Sequence, residues 1–261
     1  GNIAASGGRV QEIAPDGSVV WDYSYISNEY VSHHDLTLIG DNVLLTAYEK
    51  KTAVELNAAG FNNANSEKWP THFIELEPDG NGGATIVWEW HIKDHLIQNI
   101  DPNFNAFYGE ISEHPELMDI NCGTVGSNGG PGGNPNGDWM HFNAIDYNSD
   151  LDQIILSSRH HGEIYIIDHS TTTEEAAGHA GGNYGRGGDF LYRWGNPRAY
   201  GRGTTSDQKL FAQHGVNWIS DGYPGAGNLI LFNNNFSSGS SAIFEIITPI
   251  NACLLYTSPS P

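Results

Sequence analysis

The sequence lacks any apolar run near the ~18 residues that a bilayer-spanning helix requires, so no transmembrane helix is expected. Positive charge is scarce: 11 Lys plus Arg stand against 31 Asp plus Glu, for a formal net charge of -20. Phosphate binding needs clustered Lys and Arg, so this balance removes nucleic acid as a partner. It also argues against an anionic membrane surface. Cysteine is limited to Cys122 and Cys253, too few to assign a redox compartment. There is no Gly-x-Ser-x-Gly elbow, no metalloprotease His-Glu-x-x-His and no dinucleotide fingerprint, and no cofactor is expected.

What is present points to strands. The 261 residues are 38% hydrophobic, with 32 Gly, 7 Trp and 12 Tyr and few blocks of Ala, Leu, Glu and Lys. That is the composition of many short strands joined by tight turns. An aromatic content of 11% argues against disorder. The tail from Cys253 to Pro261 breaks every upstream pattern and resembles the translation of a sequencing adapter, so one domain is expected over 1–252 and 253–261 is set aside.

Three hairpins headed by histidine recur. One starts at His34, turns at Gly40-Asp41 and continues from Asn42 to Tyr48. Another starts at His141, turns between Asn148 and Asp152 and runs from Gln153 to Arg159. The third starts at His214, turns around Asp221 to Gly225 and runs from Asn228 to Asn234. Further strand pairs follow, Phe73–Leu76 with Ile86–Trp90 and Ile164–Asp168 with Phe190–Trp194, and the chain opens on a similar pair at Val10–Ile13 and Val19–Tyr23. Four-stranded units in series read as antiparallel blades of a β-propeller. The units amount to the tail of one blade, two full ones and three strands of a fourth. A long loop over the propeller face is expected at about 95–138, and its Gly-rich run 123–137 lacks the Lys and the strand-loop-helix context of a phosphate cradle.

First strands of propeller blades lie nearest the axis, so His34, His141 and His214 are expected to converge on a central channel. Aligned second strands put Tyr48, Arg159 and Asn234 at one equivalent position, where Arg159 adds a permanent cation. His33, His160 and His161 are expected as neighbours of the site, because alternating side chains face opposite sides of a strand. Trp21, Trp88, Trp90 and Trp194 are expected to pack between blades. Asp146, Asp150 and Asp152 lack the glycine and terminal Glu of a calcium loop.

Several of these residues carry a resemblance. His33-His34-Asp35, the run Asp138-Trp139-Met140-His141-Phe142-Asn143, Ser157-Ser158-Arg159, the run Gly188 to Pro197, and Gln213-His214 resemble the bacterial aryl-sulfate sulfotransferase family, the type independent of the nucleotide donor PAPS. The resemblance covers nearly all of 7–248. It implies a six-bladed propeller, of which about three blades lie here, in a periplasmic or secreted enzyme, with a homodimer among the assemblies open to it. It also implies transfer of a sulfuryl group from a phenolic sulfate ester to a phenolic acceptor. His214 matches the family's sulfated histidine, His34 and His141 its supporting histidines, Arg159 its active-site arginine, and Asn143 an oxygen-binding amide; Tyr48 and Asn234 join them as substrate-binding candidates. Such chemistry suits the residue types, since a neutral imidazole is a competent nucleophile near neutral pH and the sulfuryl oxygens need donors placed beforehand. Two other readings stay open: three channel imidazoles with a free position also suit a catalytic metal such as zinc, and a propeller can serve as a non-catalytic binding scaffold.

Overall fold

Alternating apolar residues between Gly- and Asn-bearing turns form antiparallel sheets in the computed structural model, which describes residues 6–122 and 137–249. A pair, β1 (Arg9–Ile13) and β2 (Val19–Ser24), comes first. A four-stranded sheet follows in chain order, with β3 (Tyr30–Ile39), β4 (Asn42–Glu49), β5 (Thr71–Pro78) and β6 (Ala84–His91). Next come three short strands, β7 (Leu96–Gln98), β8 (Phe107–Tyr108) and β9 (Met118–Asp119), paired in parallel with β7 central. A second four-stranded sheet contains β10 (Phe142–Asn148), β11 (Gln153–Ser158), β12 (Glu163–Asp168) and β13 (Tyr192–Trp194). The last sheet holds β14 (His214–Trp218), β15 (Leu229–Ser237) and β16 (Ser240–Ile246). The protein is therefore all-β, built on antiparallel four-stranded sheets, the class that the repeats predict.

Turn chemistry explains the hairpins. Gly40, at φ 60°, supplies the positive φ of the tight turn between β3 and β4. Two short helices sit in the connections, α1 (Ala53–Ala58) and α2 (Thr173–Ala176). Each is started by a capping box, Thr52 with Glu55 and Thr172 with Glu175.

Apolar runs longer than a half-buried strand needs mark sheets covered on both faces. In β11, Ile154 and Leu156 join Leu44, Phe73, Trp88 and Trp90 of the preceding sheet, while Ile155 joins Val216, Leu229 and Leu231 of the following one. Period-two alternation thus places one strand in two cores, and each such side chain contributes ~1.5–3 kcal/mol of burial. The tryptophans do pack between sheets. Trp88 donates from Nε1 to Thr171 Oγ1 at 3.2 Å and Trp90 to Gly188 O at 2.8 Å. Trp21 donates to Gly83 O at 3.0 Å, and Trp194 packs partly buried against the later core.

The first strands meet, with β10 lying against β3 on one side and β14 on the other. Two carboxylates tie them together: Asp35 Oδ2 accepts from Ile145 N at 3.1 Å, and Asp146 Oδ2 accepts from Trp218 N at 2.8 Å. Asp152 accepts from Tyr147 and His169, so that carboxylate is committed to protein partners.

The segment expected as a surface loop at 95–138 departs from that expectation. Its first part carries the parallel pairs and buries Ile97, Leu117, Met118 and Ile120, because apolar residues spaced too irregularly to read as strands still find a face to cover. The Gly-rich run 123–136 and the tail 253–261 lie outside the described residues. Among the described residues no helix is long and apolar enough to cross a membrane.

Candidate active site

Each first strand loses its regular register at its histidine or within a few residues of it. The shifts fall between Ser32 and Leu36 in β3, Phe142 and Ala144 in β10, and His214 and Asn217 in β14. His34 (φ 45°) and His141 (φ 53°) are non-glycine residues in the left-handed region, and Gly215 (φ 61°) takes that conformation beside His214. Irregularities of this kind re-aim side chains, and strained residues of this kind cluster at functional sites. Thr46 fixes the first one, its hydroxyl donating to His33 O and lying 3.0 Å from Asp35 O.

The re-aimed rings meet. His34 Nε2 lies 3.0 Å from His141 Nε2, and His141 Nδ1 lies 2.5 Å from Asp138 Oδ2. A carboxylate only accepts, so His141 donates Nδ1–H to Asp138. In neutral His141 the Nε2 is then an acceptor, His34 donates Nε2–H to it, and His34 Nδ1 accepts from His33 Nδ1 at 2.8 Å. The result is a chain of three imidazoles polarised by one buried aspartate. Burial pushes His34 down to about 3, with the charge of His141 next in weight, and burial likewise pushes His33 well down. Burial alone would raise Asp138, but the hydrogen bond from His141 and its charge outweigh this and hold the carboxyl below the usual range.

His214 stands half-buried. Gln213, fully buried, donates from Nε2 to Ser158 O and Glu163 O, both at 2.9 Å, and Asn143 Nδ2 donates to Gln213 O at 2.8 Å. His214 Nδ1 lies 2.9 Å from Ala212 O, the geometry in which Nδ1–H donates and Nε2 keeps its lone pair. Asn234 Nδ2 donates to the same carbonyl at 2.5 Å and sits 2.6 Å from Nδ1. Burial lowers the His214 ring, and the charge of Arg159 adds to this. The charges of His34, His141 and Arg159 all act within this group.

Arg159 enters through the backbone, its N–H donating to His141 O at 3.0 Å across the β10–β11 pair. Among the described residues its guanidinium has no ion-pair partner, whereas Lys50, Lys51 and Arg193 each hold a carboxylate. A cation left free beside three imidazoles suits an anionic ligand.

The structure thus brings His34, His141, His214 and Arg159 together. Asn143 is directed at the chain before His214 through its amide N–H. Tyr48, fully buried, stacks on His33 (centroids 3.6 Å) and directs its hydroxyl at Asp138 Oδ1 at 3.3 Å, so its ring and its hydroxyl are both held by neighbours of the imidazole chain. His161 is buried against Ser158 Oγ at 2.9 Å, and His160 packs on the His141 ring at 4.8 Å. Asp138 is the residue that sequence reasoning passed over as a functional group. Asp138, His141 and His160 also offer ligand atoms within 4.8 Å of one another, while His34, His141 and His214 form no such group among the described residues.

Serial antiparallel sheets that bring three histidines together at their first strands, with Arg159 at the end of a second strand, define a class of all-β protein with an imidazole-rich site. The chain belongs to the arylsulfotransferase family: the model described as Arylsulfotransferase (ASST) matches residues 3–245. It is 30% identical over 105 residues to the arylsulfate sulfotransferase AssT of Escherichia coli O6:H1 (strain CFT073), a match over 35% of this chain and 16% of that protein. It also aligns with a chain of Kuenenia stuttgartiensis hydrazine synthase at 12% identity and a TM-score of 0.40, over 91% of this chain and 51% of the other. The chain therefore spans about a sixth of the length of the curated relative it matches.

Proposed function

We propose that the intact protein is an aryl sulfotransferase of the periplasm or cell exterior, in which the described sheets are blades of a propeller and His214 carries the sulfuryl group between donor and acceptor. The observation that carries the reading is the hydrogen bond between His214 Nδ1 and Ala212 O, which leaves Nε2 with its lone pair beside the free cation of Arg159.

Nε2 attacks the sulfur of an aryl sulfate, forming an N–S bond as the S–O bond to the aryl oxygen breaks. The departing phenolate takes the Nε2 proton of His141 in its imidazolium form, whose charge Asp138 balances by accepting Nδ1–H, and His141 is left neutral. An acceptor phenol then returns its proton to His141 while its oxygen attacks sulfur and the N–S bond breaks. Arg159 binds the sulfuryl oxygens, whose charge spreads in the transition state, and the one N–H of His34 joins it by turning from His141 Nε2 to the substrate. General acid–base catalysis of this kind contributes ~10²–10⁴-fold. The substrates are small aryl sulfates and phenols.

The test is mass spectrometry of the full-length protein after incubation with an aryl sulfate and a quench in base. A sulfuryl group on the His214 peptide, missing in His214→Ala, is the expected result. An unmodified peptide with no phenol released overturns the reading and favours a binding scaffold. A metal centre has one observation of its own, the Asp138, His141 and His160 group, and stoichiometric metal lost in His160→Ala would promote it.

A further inference from the structure

A second cluster lies where the chain leaving β6 meets the Gly-rich segment that precedes β13. His95 is fully buried and stacked on Trp90, with centroids 5.1 Å apart and planes 5° apart. Its Nε2 faces Ala176 O at 2.8 Å. A carbonyl only accepts, so Nε2 carries hydrogen and Nδ1 of the neutral ring bears a lone pair. Yet Nδ1 faces another acceptor, Asp189 Oδ1, at 2.8 Å. Something positive must sit between them, a proton or a metal ion. The same oxygen lies 2.8 Å from His179 Nδ1, and the three ligand atoms fall within 4.8 Å of one another.

The surroundings discriminate between the two. An N–H donated to a backbone carbonyl is the outer partner that a metal-bound histidine usually has, and it fixes the tautomer that presents Nδ1. The ring is held there by close packing that only glycine permits: a Cβ on Gly188 would come 2.6 Å from His95 Nε2 and 2.7 Å from Trp90 Nε1. Asp189 is buried as well, at 5% exposure, so its charge is not placed there for solvation. Two imidazole nitrogens and one carboxylate suit a borderline transition-metal ion, because calcium and magnesium take oxygen donors. His179 and Asp189 also line a groove of about 340 Å³ bordered by Phe107, His114, Glu116 and Arg186.

We propose that His95, His179 and Asp189 form a binding site for a divalent ion of the zinc type, which pins the chain after β6 to the segment before β13. The inference stands apart from the sulfotransferase reading, since no residue is shared.

The experiment strips full-length protein with a chelator and titrates it with zinc, then with cobalt as a spectroscopic probe. One ion per chain and a cobalt ligand-field absorption are expected. Half-exposed His179 tolerates replacement, so His179→Ala should fold while binding zinc roughly tenfold or more weakly. Asp189→Asn, which keeps the side chain's shape, should do the same, and His160→Ala should leave the titration unchanged. Failure of the wild type to bind zinc overturns the proposal and leaves a buried pair sharing a proton. Binding insensitive to His179→Ala but lost in His160→Ala also overturns it, by moving the metal to the Asp138 cluster.

Discussion

His34 of β3 and His141, immediately before β10, lie 107 residues apart in the chain, and their Nε2 atoms lie 3.0 Å from each other. Only one of those nitrogens carries hydrogen when both rings are neutral, and Asp138 at 2.5 Å from His141 Nδ1 decides which. Asp138→Asn presents an amide that can donate as well as accept, so the tautomer of His141 is no longer dictated. Turnover of an aryl sulfate should fall by ~10²–10⁴-fold, the usual worth of a positioned acid–base group. Steady-state phenol release by the full-length variant is the measurement, and a loss smaller than threefold would remove Asp138 from the mechanism.

The pH profile tests His214. Burial and then the Arg159 charge lower its ring, so the neutral nucleophile persists to more acid solution than an ordinary histidine with a pKa of ~6.5 allows. The acid limb of kcat/KM should therefore lie below ~6.5. Arg159→Met removes a cation that disfavours the protonated ring. Its limb should move up in pH while the rate falls, and a limb that stayed put or moved down would contradict the assigned electrostatics.

Much of this arrangement was legible in the residues because strands report themselves locally. Gly40-Asp41 between two apolar runs marks a hairpin, and the three histidines fall at the first strands that the repeat aligns, His141 and His214 at the start and His34 within the irregular stretch of β3. Tyr48, Arg159 and Asn234, matched in the aligned second strands, do each lie beside a histidine of their own sheet: His33, His141 and His214. Their orientation was not legible. Where the Tyr48 ring points depends on how it stacks at the irregular Ser32–Leu36 stretch, and period-two alternation fails across a bulge. Asp138 was hidden because its contact with His141 arises in a turn where His141 adopts φ 53°, not from strand or helix spacing. His95 and Asp189 are 94 residues apart, and only tertiary packing unites them. The parallel pairs of β7, β8 and β9 are too short to show any periodicity.

His169 links two sheets electrostatically. Its Nε2 lies 2.9 Å from Glu75 of β5 and its Nδ1 2.7 Å from Asp152. Burial alone would lower the ring, but the hydrogen bonds to these carboxylates outweigh it and the net direction is up. A raised histidine contributes stability that is complete below its unfolded value of ~6.5 and is lost as pH rises through the folded value. The melting temperature of His169→Gln should therefore fall furthest below wild type near pH ~6 and approach it as pH rises past the folded value. A gap that widened with pH would reverse the sign and refute the assignment.

Glu163 and Arg193 test how the second four-stranded sheet tolerates a buried charge. Arg193 holds Glu163 through two bonds, Nε to Oε1 at 3.0 Å and Nη2 to Oε2 at 2.5 Å, and both residues are almost fully buried. Arg193 also donates to Leu117 O at 2.9 Å and stacks 4.1 Å over the Tyr200 ring, so its position is fixed from several sides. Burial raises Glu163 while Arg193 pulls it back, which means that the pair holds its charges only together. Glu163→Gln keeps the shape and leaves the guanidinium uncompensated in a dry site, at a cost of ~3–5 kcal/mol. Replacing both, as Glu163→Gln with Arg193→Met, should recover part of that loss, because the stranded cation is gone and the methionine side chain fills its path. Denaturant unfolding of the two variants decides the point: a single variant within about 1 kcal/mol of wild type would show that water reaches the pair, and a double variant weaker than the single one would show that Arg193 is held for its contacts with Tyr200 and Leu117 rather than for its partner.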